Sequence, residues 1–149
     1  SGANFYRQAS DTSTVQRSMQ MTLDQIENLV IDTNKSISYS VGGQATQSDL
    51  GSQDSQEKIL ILESVQGENT QHKEILKWNP DEKKLYCNYN SDRATDMKVM
   101  AENISAFSTD ISQAVSDGIV RFQITIQKRD KEMTQTYTVT LRNQLGADS

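Results

Sequence analysis

The sequence predicts an α+β domain: a long N-terminal helix packed on an antiparallel β-sheet of about four to six strands. Three observations predict it. Apolar residues recur at helical spacing over the first quarter of the chain, and most later apolar stretches have strand length or strand alternation. No long helical pattern returns between the strands, as βαβ units would require.

The helix is expected from about Phe5, or from Asp11 if its start frays, to about Lys35. Val15, Met19, Leu23, Ile26, Val30 and Ile37 step by three, four or seven, with Leu29 beside them. Gln16, Arg17, Gln20, Asp24, Glu27, Asn28 and Asp32 occupy the other face, and Asn34 and Ser36 suit a helix end. At ~1.5 Å per residue such a helix is about 35–45 Å long.

Ile37, Tyr39 and Val41 alternate with Ser38 and Ser40 as a short extended piece. Gly42-Gly43 ends it and opens an exposed polar loop over 42–56, in which Leu50 is the only large apolar residue. Neither flank of this loop could hold a core alone, so residues 1–149 read as one domain.

Ile59 to Leu62 is apolar on both faces, as in a strand inside a sheet. Ile75–Trp78 and Leu85–Tyr89 flank the turn Asn79-Pro80-Asp81-Glu82-Lys83, which predicts a hairpin. Met97 to Phe107 reads as a short helical or irregular stretch leading into a strand around Ile104–Ile111. Val120, Phe122, Ile124 and Ile126 alternate with polar residues, as do Tyr137, Val139 and Leu141, with Lys128 to Met133 joining them. One face of this pair is apolar and the other is rich in threonine.

Composition narrows the function classes. Leu, Ile, Val and Phe total 31 of 149 residues, whereas Ser, Thr, Asn and Gln total 54, so core material is thin and must be placed economically. Net charge is -5, and no basic run exceeds Lys128-Arg129. Such a chain repels phosphate backbones and anionic membrane surfaces, which argues against nucleic-acid binding by this domain. A single cysteine, Cys87, excludes an internal disulfide. No run of ~18 apolar residues is present.

Four local patterns resemble the soluble domain of type IV pilins and pseudopilins, most closely PilW-type minor prepilins and J-type minor pseudopilins. Val15-Gln16-Arg17-Ser18-Met19-Gln20 has the look of the helix just outside the membrane in that family. Leu85-Tyr86 ends a strand as the family's "LY" hairpin does. Met100-Ala101-Glu102-Asn103-Ile104-Ser105-Ala106-Phe107 is similar to its "L-A-E-N-V-x-x-F" stretch, and Leu141-Arg142-Asn143 to its "LRN" ending. Each pattern is short; their order, spanning about residues 11 to 143, carries the resemblance. A C-terminal cysteine pair of the kind many pilins use is missing.

The resemblance implies a pilin-like fold and a structural role, without enzymatic activity or cofactor. A minor pilin or minor pseudopilin helps initiate or cap a filament by packing against other pilins or pseudopilins. It also implies an upstream leader and a hydrophobic helix half before Ser1-Gly2-Ala3, hence membrane anchoring before assembly and a cell-surface location. The partner-packing residues it suggests are Val15, Met19, Met21, Leu23 and Ile26, with Met21 off the helix stripe and available to a neighbour. The alternatives are a surface adhesin or ligand-binding module at a filament tip, and a small hydrolase.

A hydrolase would need His72, the only histidine, beside Cys87 or a serine. With the hairpin turning near Asp81, Cys87 is expected opposite Ile75, several residues from His72. No metal motif is present, although Asp92, Asp96, Glu102 and Asp110 could converge on one cation. Gly42-Gly43 lacks the Lys-Ser/Thr of a phosphate cradle. Trp78 and Tyr89 read as hairpin packing rather than a ligand platform, and Met19 and Met100 as core.

Overall fold

A computed structural model describes residues 2–67, 70–88 and 97–146, with backbone alone for 2–12, 66 and 70. The elements run α1 (Gly2–Val30), β1 (Ser36–Val41), β2 (Gln44–Ala45), β3 (Lys58–Gln66), β4 (Thr70–Asn79), β5 (Lys84–Cys87), β6 (Lys98–Ala101), β7 (Ile104–Asp110), α2 (Ala114–Asp117), β8 (Ile119–Lys128) and β9 (Lys131–Thr140). Strands pair antiparallel throughout. One sheet has the order β2-β1-β3-β4-β5-β6 and the other β7-β8-β9.

This corrects the expected fold class. Strand outweighs helix among the described residues, and the chain builds two antiparallel sheets rather than one sheet under a long helix. The excess strand comes from segments with little alternation of their own. Thr70 to Lys73 is polar, yet it extends β4 because β3 offers a continuous partner from Lys58↔Trp78 to Gln66↔Thr70. Lys98 to Ala101 was expected to be helical or irregular. It becomes the terminal strand of the larger sheet, paired with β5 across a bulge at Leu85/Tyr86.

α1 ends five residues before the expected Lys35 because other groups claim the chain there. Arg142 N–H donates to Ile31 O at 3.0 Å, and Lys35 N–H donates to Glu63 O at 3.0 Å. Between them the Asn34 side chain pairs with one backbone unit: Nδ2 donates to Val65 O at 3.0 Å, and Val65 N–H donates to Oδ1 at 2.8 Å. These bonds satisfy chain groups that a longer helix would hold itself. Ile37 therefore leaves the helix stripe and enters β1, opposite Leu62.

The core follows the two periodicities. Val15, Met19, Leu23, Ile26, Leu29 and Val30 are buried on one side of α1, against β8 and β9. Leu60, Leu62, Leu76, Trp78, Leu85 and Cys87 come from the larger sheet, and Val120, Phe122, Ile124, Ile126 and Val139 from the smaller one. Phe107 and Phe122 lie with ring centroids 6.1 Å apart.

The chain crosses between sheets at Asn103, whose φ of 63° is one that Asn tolerates better than most residues. Ile104 N–H then donates to Lys83 O, and Gln127 N–H to Asn103 O. The β8–β9 turn is tighter than Lys128–Met133, since Lys128 already pairs with Lys131.

Candidate functional site

The helix residues suggested for partner packing separate into two groups. Val15, Met19, Leu23 and Ile26 are all 2% exposed or less and belong to the domain's own core. Met21 is 56% exposed, because two residues from Met19 is about 200° around a helix.

Met21 lines a groove of about 380 Å³ between α1 and β6. Ser18, Thr22 and Gln25 form its helix side, Val99, Met100 and Ala101 its strand side, and Lys128 one end. Val99 is 47% exposed. Gln25 Oε1 is buried with no hydrogen-bond partner among the described residues. β6 is also the last strand of its sheet, so its outer edge pairs with no described strand. Exposed apolar side chains, an unsatisfied amide oxygen and an open strand edge are what a protein partner can cover.

A second cluster was not anticipated. Lys58 is fully buried, with Nζ 2.7 Å from Asp49 Oδ2, 2.5 Å from Phe107 O and 5.3 Å from the Trp78 ring centroid. Asp49 Oδ1 accepts from Tyr39 Oη at 2.7 Å and from Thr109 N–H at 3.0 Å. Burial, then the hydrogen bond to Asp49, pushes the Tyr39 hydroxyl far above its ordinary pKa. The loop over 42–56, expected to be exposed, carries Asp49 into this cluster. Asp49 N–H bonds Thr109 O, Gly51 N–H bonds Ser108 Oγ, and Ile111 N–H bonds Gln47 O. One sequence signal pointed here: Lys58 has the same strand phase as buried Leu60 and Leu62.

Cys87 pairs with Leu76, one residue from its expected partner Ile75, while His72 pairs with Ser64. The two residues are thus four strand positions apart, roughly 13 Å along β4. A shallow depression of about 290 Å³ does join His72 to Ser64, and His72 Nε2 lies 3.1 Å from Glu74 Oε1. Burial raises the Glu74 pKa, against a lowering by His72. Ser64 Oγ accepts from Asn34 N–H, and the Val65 N–H beside it is held by Asn34 Oδ1. The Val65 N–H is therefore already engaged and offers nothing to an oxyanion at Ser64.

Among the described residues, no group of three or more His, Cys, Asp or Glu side chains could hold a metal. Asp92 and Asp96 lie outside the described residues. Glu102 pairs with Lys84 at 3.9 Å. Asp110 accepts from Ser112 Oγ at 2.6 Å and Ser112 N–H at 2.9 Å, which holds its carboxyl below the usual range. Trp78 is buried, and Tyr89 lies outside the described residues. Met100 packs partly against the core.

No helix among the described residues is long and apolar enough to cross a membrane. The chain matches no protein-family model, no curated protein and no solved structure.

Proposed function

We propose that this domain is a structural subunit, a minor pilin or minor pseudopilin, that works by packing against other filament proteins at the cell surface. The observation that carries the reading is the groove at Met21 and Val99 beside the open edge of β6. The lining is otherwise mostly polar, with Glu102 and Asn103 at one side. The groove presents Met21 and Val99 where a neighbouring helix or strand could lie, and Gln25 Oε1 offers a buried acceptor to a partner's donor. The Ser, Thr and Gln-rich remainder of the surface suits a head in contact with medium. The four local patterns at Val15–Gln20, Leu85-Tyr86, Met100–Phe107 and Leu141–Asn143 support the same reading.

Two measurements test it. The N-terminal peptide mass of the native protein from sheared cell-surface material should show a processed N-terminus that begins an apolar helix continuous with Phe5-Tyr6. A photo-crosslinking residue at position 21 should capture proteins that carry such helices. An ordinary cleaved signal peptide, or a cytosolic protein without that helix, would exclude filament assembly; the adhesin or ligand-binding reading would then lead.

A further inference from the structure

We propose that Lys58 and Asp49 become joined by an intramolecular amide between Lys58 Nζ and Asp49 Cγ, formed with loss of one water. The proposal does not rest on the filament reading.

The two groups are placed as reactants. Lys58 is fully buried, the Asp49 side chain is 14% exposed, and Nζ already touches Oδ2 at 2.7 Å. Phe107 O and the Trp78 ring hold the amine in place. Enforced contact of this kind supplies much of the entropy that an encounter in solution would lose.

The two carboxylate oxygens are not equivalent. Oδ1 receives the Tyr39 hydroxyl and the Thr109 N–H, two fixed donors on the atom where negative charge would grow. Oδ2, also buried, faces the Lys58 ammonium at 2.7 Å and has no second donor among the described residues. One oxygen is held and the other is able to leave.

The step balances without an oxidant or co-reactant. A proton passes from the Lys58 ammonium to Oδ2, which leaves a neutral amine and a carboxylic acid. The nitrogen lone pair attacks Cγ, and Oδ1 carries the negative charge between its two donors. A second proton moves from nitrogen to Oδ2, the Cγ–Oδ2 bond breaks, water departs, and Cγ=Oδ1 re-forms. A neutral amide then replaces two charges in a poorly solvated site, where burying charge is costly.

The test needs no variant: intact mass of the folded wild-type protein, followed by denaturation and trypsin digestion. Linkage is expected to lower the mass by about 18 Da, one water. It is also expected to block cleavage after Lys58, so that a single dehydrated peptide runs from Ser36 to Lys73. Its fragmentation should yield no backbone ions from between Asp49 and Lys58. Full mass with normal cleavage after Lys58 overturns the proposal. So does a dehydrated chain that trypsin still cuts there, which would indicate a cyclised aspartate, or a link that fragmentation assigns to another carboxylate.

Discussion

Trp78 Nε1 donates to the carbonyl oxygen of Ile104 at 3.0 Å, joining a central strand of the larger sheet to the first residue of the smaller one. Both residues are buried, so water cannot replace the bond. Trp78→Phe removes the donor, leaves Ile104 O unpaired and opens space in the core. The expected cost is about 2–4 kcal/mol. A urea titration should show a lower midpoint with an unchanged slope.

Asn34 acts as a strand residue through its side chain, since its amide pairs with both the N–H and C=O of Val65. Asn34→Ala deletes both bonds at the junction of α1 and β3. It is expected to destabilise the domain by about 1–2 kcal/mol. Hydrogen exchange should quicken at Val65 while amides in β8 stay protected.

Tyr39 ties stability to alkaline pH. Its folded pKa is raised, first by burial and then by Asp49. The contribution is fully present below the ordinary tyrosine pKa of about 10 and declines above it, because the unfolded chain releases the proton first. The stability of Tyr39→Phe should fall less steeply than wild type above that pH. Urea midpoints across the alkaline range provide the check, and equal slopes would contradict it.

Asp110 has the opposite sign. Its carboxyl is held low, first by the Ser112 hydroxyl and then by the Ser112 N–H. That contribution is present above the ordinary aspartate pKa of about 4 and is lost as pH falls through the folded value. Ser112→Ala should flatten the acid limb of the stability profile, and NMR titration of Asp110 should show its pKa moving up.

Met21 is exposed in the groove and contributes little to the core. Met21→Glu should change stability by no more than about 0.5 kcal/mol. If the groove meets a filament partner, the same substitution should sharply reduce incorporation into sheared surface material. Normal incorporation would move the partner surface elsewhere.

Much of the domain was legible in the chain. Val15, Met19, Leu23, Ile26 and Val30 could be read as a buried helix face because spacing alone sets which side chains share it. The last hairpin was legible from the alternation around Phe122 and Val139, and the β4–β5 hairpin from its Asn79–Lys83 turn. Spacing could not show whether the helix face served the domain or a neighbour. Burial assigns Val15, Met19, Leu23 and Ile26 to the domain's own core and leaves Met21 outside it.

By itself, then, the sequence determined the apolar faces, the main strands and the offset of His72 from Cys87 along the β4–β5 hairpin. Tertiary structure decided the number of sheets, the strand state of Lys98–Ala101 and the end of α1, since each depends on backbone partners distant in sequence. It also decided the meeting of Lys58 with Asp49. A lysine heading an apolar strand and an aspartate in a polar loop carry no local sign of each other. Only the closure of that loop against β7 buries Lys58, leaves Asp49 largely shielded and brings the charges into contact.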